Sequence, residues 1–305
     1  MSYDVTVIGE IYLDHVFSGF AGWPGPGEEI FTDKYQWELG GGAVNTACAL
    51  ARLGRSVQLI GVVGRGEFPA IEQRLAHFGV SAGNLVLSDT RTGVTVSVSV
   101  AEERTLFSYR GANEHLLALL ESTPSLLRSA AESRHVHLAL PLPAGSIATV
   151  VRVLASDVAT TSLDVGHDVA WLQSDSSAQV MQAVDYLLPN AKEAQVMSGS
   201  VSGYLDRCRA LGCSAVVKLG AAGAVMVAEG REVRVAPPSV QVLDTTGAGD
   251  AFDAGFIDGL LAGLDPRGCL ELGCICGSLS TRAAGSLEAL PSREEIAIVK
   301  ETHVA

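Results

Sequence analysis

The chain has 305 residues, 48% hydrophobic and 18% charged, which is ample for one large core. Its net charge of −13 argues against a nucleic-acid partner, because such binding depends on Lys and Arg neutralising phosphates. No apolar run of about 20 residues is present, and Met1-Ser2-Tyr3-Asp4 lacks the basic start and apolar core of a signal peptide. A cytoplasmic protein without a membrane partner is therefore expected. The six cysteines include no Cys-x-x-Cys and read as buried free thiols, as suits a reducing compartment. Neither an internal repeat nor a low-complexity linker divides the sequence, so one domain over 1–305 is expected.

Val5-Thr6-Val7-Ile8-Gly9 reads as a buried strand ending in glycine. Asp14 comes just after it. A carboxylate there lies near the ligand crevice of an open α/β sheet, although a turn-capping Asp reads equally well. Residues 15–38 are rich in Gly, Pro and aromatics, and Gly22-Trp23-Pro24-Gly25-Pro26-Gly27 cannot be helical. The run Gly40-Gly41-Gly42-Ala43-Val44-Asn45 opens an Ala-rich helix that Gly54 stops. Glycines there permit close ligand approach, and Asn45 offers donors and acceptors to a polyol; a tight turn explains the run as well.

Val57 to Gly64 reads as a second strand, and Ala70 to Phe78 as a helix ending at Gly79. Thr92 to Val100 alternates strictly and forms a hairpin with Arg104 to Tyr109. The segments at about 12–38 and 91–110 together read as a small β lid, whose alternating strand could serve as a dimer edge. Arg110 faces either solvent or a substrate. Strands of a parallel sheet are expected at Val136–Leu140, Thr161–Val165 and Tyr186–Asn190, with helices between them. His135 and His137 alternate on one strand, but no third ligand has a spacing that would make a metal site. Asn190 and Glu193 share one side of a helical turn, where a cap with first-turn acid is the plain reading. Ala215 to Lys218 is a strand that enters the turn Leu219-Gly220-Ala221-Ala222-Gly223. Lys218 either assists phosphates or is an ordinary strand-end lysine.

Val233 to Val242 reads as extended, and Ala251 to Leu264 as a helix. Between them stands Asp244-Thr245-Thr246-Gly247-Ala248-Gly249-Asp250. Small residues at a helix start expose unpaired N–H groups and the positive end of the helix dipole, which makes an anion hole. A bare phosphate loop would avoid Asp250. A general base beside an anion hole suits a hydroxyl that loses its proton to become a phosphoryl acceptor. The dipole alone also favours an Asp in a first turn. Cys269 to Ala284 reads as a second small-residue helix packed on the first.

The stretch Asp244 to Gly255 closely resembles the second signature of the ribokinase-like (PfkB) carbohydrate kinases, and Gly40 to Ala47 resembles the first, with Gly42 where a Lys is commonest. Gly111-Ala112-Asn113, Asn190-x-x-Glu193, Leu219-Gly220-x-x-Gly223 and the loop Ser280 to Gly285 with Pro291 resemble further segments of that family. The resemblance therefore runs from Gly9 to Pro291. It implies an α/β, ribokinase-like fold, with a mostly parallel central sheet flanked by helices and a small β lid. It also implies ATP and Mg²⁺ as cofactors. In the implied site, Asp250 is the catalytic base and the Gly247-Ala248-Gly249 backbone the anion hole. Asp14, Gly41, Gly42, Asn45 and Arg110 face the sugar, while Asn190, Lys218, Gly220, Gly223 and Thr245 face the nucleotide. Glu193, with Asn190, orients Mg²⁺ through water. A monovalent cation near Asp244 and Gly285, and a homodimer formed through the lid, are implied as well.

No Gly-Lys dipeptide occurs, which removes the P-loop, and the absence of Gly-x-Gly-x-x-Gly removes the strongest sign of a nicotinamide dehydrogenase. The expected function is transfer of the γ-phosphoryl group of ATP to a sugar without a phosphate. A nucleoside kinase, a 2-keto-3-deoxy sugar acid kinase read through Arg110, and a non-catalytic sensor are the alternatives.

Overall fold

The computed structural model describes residues 3–100, 103–154, 160–166, 168–228 and 230–303. Its strands are β1 (Val5–Gly9), β2 (Tyr12–Phe20), β3 (Lys34–Gly40), β4 (Val57–Gly64), β5 (Val80–Ser88), β6 (Gly93–Val100), β7 (Glu103–Tyr109), β8 (His135–Ala139), β9 (Thr160–Asp164), β10 (Tyr186–Leu187), β11 (Ser214–Lys218), β12 (Ala224–Ala228) and β13 (Arg231–Val235). Nine of them form one sheet in the order β13-β12-β11-β10-β9-β8-β1-β4-β5. From β11 to β5 all neighbours are parallel, while β12 and β13 are added antiparallel. Strands β1 and β4 are buried along their whole length, as expected of parallel strands covered by helices on both faces.

After β1 the chain builds outward through β4 and β5, then returns to β8 on the other side of β1. That reversal opens a crevice at the carboxyl ends of β1 and β8, the place where open α/β sheets bind ligands.

The second sheet has the order β3-β2-β6-β7. Strand β2 follows β1 after only Glu10 and Ile11. Asn113 fixes this root: its side chain accepts from the Ile11 N–H and donates to the Ile11 carbonyl, both at 2.9 Å. Strand β7 is exposed throughout, and Tyr35, Trp37, Leu106, Phe107 and Tyr109 lie on the surface of this sheet.

The helix Ala248–Leu261 packs along the helix Pro266–Ser280. Glycines at 255, 259, 273 and 277 form the seam, so the two backbones come close. On its other flank Phe256 meets Tyr186 edge-on at 5.3 Å and packs beside Phe252.

Several boundaries differ from the sequence reading. The extended segment stops at Val235 rather than Val242, because Pro237 and Pro238 follow and the chain leaves the ladder. Strand β10 is only two residues long; Pro189 has no N–H for the ladder, and Asn190 caps the next helix instead. The two small-residue helices begin three residues earlier than read, at Ala248 and Pro266, and end at Leu261 and Ser280. Strand β5 went unread, since Ser81, Gly83 and Asn84 interrupt its apolar pattern where its register shifts.

His135 and His137 are fully buried between β8 and β9. His135 bonds Thr160 Oγ1 at 2.7 Å and Ser162 Oγ at 2.8 Å, and His137 Nδ1 bonds the same Ser162 Oγ at 2.8 Å. Burial lowers His135 to a pKa of about 3 and His137 to about 4. Unfolding below the ordinary imidazole value of 6.5 therefore takes up protons, so the contribution of each ring is complete above that pH and is lost as the pH falls toward 4. For His137 this amounts to about 2 kcal/mol at pH 5. The unfolding free energies of wild type and His137→Asn, measured in urea at pH 7.5 and pH 5, are expected to converge by about that amount at the lower pH. An unchanged difference would mean that the ring is already protonated in the fold.

Candidate active site

A cavity of about 630 Å³ lies at the carboxyl ends of β1, β8, β9 and β11. Glu10 and Tyr12, Ala139 to Pro141, Asp164 and Lys218 contribute from the strand ends. Asn190, Glu193, Gly220, Thr245, Gly247, Gly249 and Asp250 contribute from the loops and helix starts.

Gly247 is the N-cap of the helix Ala248–Leu261 and has φ +73°, a left-handed conformation that suits glycine. A Cβ added there would come within 2.6 Å of Ser286 Cβ. The Ala248 N–H donates to the Thr245 carbonyl at 3.2 Å, while Gly247 and Gly249 line the cavity at the positive end of the helix. Asp250 sits in the first turn. It opens onto the cavity but is otherwise enclosed by protein, and that burial, with the Asp164 charge nearby, raises its pKa to about 7. Asn45 Nδ2 donates to Asp250 Oδ2 at 2.7 Å, while Asn45 Oδ1 accepts from Ser286 Oγ at 2.9 Å. The Asn45 amide, read from sequence as a sugar contact, is thus committed to holding Asp250.

Gly41 and Gly42 are compressed between two walls. A Cβ at Gly41, whose φ is +98°, would lie 2.5 Å from the Glu10 carbonyl oxygen, and one at Gly42 would lie 3.2 Å from Asp250 Oδ1. Asp14 belongs to β2 and does not line the cavity. Its carboxylate packs on Gly40, where a Cβ would overlap it, and burial raises its pKa. Arg110 lines the cavity with its side chain about half exposed; its Nε stands 3.9 Å from Glu10 Oε1, while Tyr12 donates to Glu10 Oε2 at 2.7 Å.

Across the cavity, Asn190 and Glu193 make a reciprocal cap. Asn190 Oδ1 accepts from the Lys192 and Glu193 N–H groups, and Glu193 accepts from the Asn190 N–H at 2.7 Å and from its Nδ2 at 2.6 Å. Both side chains reach the cavity wall, and their oxygens are the hard donors that suit water-coordinated Mg²⁺. Lys218 donates to Asp164 Oδ2 at 2.8 Å and to both Asp253 oxygens at 3.1 Å. Gly220 lines the cavity; Gly223 lies behind it with φ +82°, where a Cβ would overlap the Val235 carbonyl oxygen. Asp244 accepts from the Thr246 N–H and hydroxyl and from the Gly285 N–H, at 2.7 to 2.9 Å. Arg104 of β7 reaches across to the Thr246 hydroxyl, joining the second sheet to this loop.

The structure therefore brings Gly42, Arg110, Asn190, Glu193, Lys218, Gly220, Thr245, Gly247, Gly249 and Asp250 to one cavity, and places Asp14, Gly41, Asn45, Gly223 and Ala248 behind its walls. Glu10, Tyr12, Asp164 and Asp168 line it as well and were not picked out from sequence. Asp164 carried a usable signal, being a carboxylate at the carboxyl end of an expected parallel strand.

A family model described as pfkB family carbohydrate kinase matches residues 3–293. A ribokinase of Haemophilus influenzae is 26% identical over 304 residues, covering 95% of this chain and 96% of that protein. Among solved structures, the nucleoside kinase of Methanocaldococcus jannaschii superposes with a TM-score of 0.85 at 21% identity, covering 99% of this chain and all of that one. Arabidopsis thaliana ribokinase complexed with ribose and ATP superposes with a TM-score of 0.82 at 24% identity, covering 98% of this chain and 99% of that one.

Proposed function

Because the chain belongs to the pfkB family of carbohydrate kinases, we propose that it transfers the γ-phosphoryl group of ATP to a hydroxyl of an unphosphorylated sugar, with Asp250 as general base. The observation that carries this reading is a carboxylate with a pKa of about 7, set in one cavity wall with the helix-start glycines Gly247 and Gly249. The acceptor hydroxyl sits against Gly42, where no side chain stands between it and Asp250. Asp250 takes its proton, the oxygen bonds to the γ-phosphorus, and the bond to the bridging oxygen of ADP breaks. The loop N–H groups face the charge that develops on the phosphoryl oxygens. Asn190 and Glu193 would hold Mg²⁺ through water, and the bound ion would neutralise phosphate charge. Gly220 and Thr245 border the nucleotide, the four-stranded sheet covers the sugar, and Asn45 keeps Asp250 aimed.

An intact base speaks against a non-catalytic sensor, since binding alone does not require one. The exposed aromatic face of the four-stranded sheet supports a homodimer formed through the lid.

The cavity wall favours an uncharged acceptor. Glu10, Asp164 and Asp168 contribute negative charge, Lys218 is spent on carboxylates, and Arg110 stands against Glu10. Coupled ADP release with ribose, fructose, adenosine, fructose 6-phosphate and 2-keto-3-deoxygluconate is therefore expected to give its highest kcat/KM on a neutral sugar. Activity on every acceptor should rise with pH through about 7, because Asp250 accepts a proton only when ionised. Highest activity on fructose 6-phosphate would overturn the reading. Highest activity on the sugar acid, lost in Arg110→Ala, would assign Arg110 to a substrate carboxylate.

A further inference from the structure

We propose that Lys218 is a positioning residue of the transfer site, its ammonium serving as the resident cation of a three-carboxylate cluster formed by Asp164, Asp253 and Asp250. The inference rests on the reading of Asp250 as the base. One oxygen from each of the three carboxylates lies within 4.8 Å of the other two, a spacing that would suit a metal ion. Lys218 Nζ already sits among them, 2.8 Å from Asp164 Oδ2 and 3.1 Å from each Asp253 oxygen. An ammonium has three donors and no acceptor, and these contacts hold it between two carboxylates.

The lysine is fixed at both ends. Its backbone N–H donates to the Pro189 carbonyl at 2.9 Å, it pairs with Ala224 in the ladder, and only 9% of the residue is exposed. Its ammonium reaches the underside of the anion loop, where a Cβ on Gly249 would stand 3.4 Å from Nζ. The charged groups that face Asp250 come from four elements: Asp164 from β9, Lys218 from β11, Glu193 from the helix Ala191–Ser198, and Asp253 one turn along its own helix. The helix Gly42–Arg52 presents only the neutral Asn45 amide.

Without the lysine, Asp250 would face carboxylates on every charged side, and like charges crowded together hold one another's protons on. Lys218 offsets that repulsion. It lets a buried carboxylate lose its proton near neutral pH and still leaves it basic enough to take one from a hydroxyl. A bound divalent ion would also offset it but would compete for the oxygen that must accept the proton.

The test uses the full chain with ¹³Cγ-labelled aspartate, following the Asp250 carboxyl resonance, assigned by its loss in Asp250→Asn, from pH 4 to pH 9. Lys218→Met is expected to move the Asp250 midpoint upward by about one unit or more, and Asp164→Asn to move it downward by about one unit. The acid limb of kcat/KM should move in the same two directions. A purely structural role would lower stability and rate in both variants without opposite shifts. Midpoints that stay in place, or that move the same way, overturn the proposal. If Lys218→Met does not fold, Lys218→Gln, which keeps a polar side chain without the charge, takes its place, and an unmoved midpoint overturns the proposal. The resonance needs no turnover. Wild-type protein that releases no ADP with any sugar would sink the kinase reading while the two shifts still tested the lysine.

Discussion

Asp250→Asn is expected to lower kcat by about 10²–10⁴, roughly 3–5 kcal/mol of barrier, while ATP binding is nearly unchanged. The substitution keeps the shape of the side chain and removes only its capacity to accept the hydroxyl proton. Asn45 donates to Asp250 Oδ2 in the native site, and the new carboxamide still offers an oxygen for that bond. The loop N–H groups proposed to face the phosphoryl oxygens belong to the backbone and remain. A second readout separates a lost base from a damaged fold. The pKa of Asp250 is raised to about 7 from the ordinary aspartate value of 3.8, so above that range its ionised form costs the folded state free energy that the unfolded chain does not incur. The Asn variant should therefore melt at a higher temperature than wild type at pH 8. A variant that keeps more than about a tenth of wild-type kcat would remove Asp250 from the role of base. A variant that loses both activity and stability would point to a disturbed loop instead.

The next largest effect is expected at Gly247. Ala there must adopt a left-handed conformation, which costs an L-residue about 1–2 kcal/mol. Its methyl would also press on Ser286 at 2.6 Å. Ser286 donates to Asn45, and Asn45 to Asp250, so the displacement travels along two hydrogen bonds to the base. Gly247→Ala should thus lower the melting temperature and reduce kcat by about 10²-fold or more, because a misplacement of about 1 Å can cost that much. Gly249→Ala is the control. Its φ is not positive and its Cβ would meet only the end of Lys218, at 3.4 Å, so its effect should be much the smaller. Steady-state kinetics with thermal melts of both variants would reveal the ranking, and equal losses would contradict it.

The glycine-rich entry to the helix Ala248–Leu261 and the flanking strands were legible because their signals are local. A glycine-rich entry to an apolar helix, a buried strand ending in glycine and a capping pair three residues apart can each be read within a short window. The brace behind Asp250 was not legible. Asn45 lies 205 residues from Asp250, and Lys218 lies 54 from Asp164 and 35 from Asp253, so only tertiary folding brings them together. A polar residue near a glycine run reads naturally as a ligand contact. That its amide is spent on another side chain depends on packing a sequence does not display. Likewise the alternation from Val233 to Val242 describes an extended backbone, but only part of it finds a ladder partner, and the two prolines mark where pairing ends.

The seam between the helices Ala248–Leu261 and Pro266–Ser280 bears on which substitutions the protein can accept. A methyl at Gly255 would strike the Leu272 carbonyl oxygen at 2.6 Å, and one at Gly277 would come within 2.9 Å of the Ala248 carbonyl oxygen, part of the anion loop itself. The rear of the transfer site is therefore closed to enlargement, and a residue far from any substrate can dislodge the loop as surely as one inside the cavity. The opposite wall is more open at its rim, since Tyr12 belongs to the half-buried strand β2 and the Arg110 side chain, just past the exposed strand β7, is about half exposed. Descendants of this sequence are free to change which molecule they recognise by altering that wall, while the half that performs the chemistry must be inherited nearly unchanged.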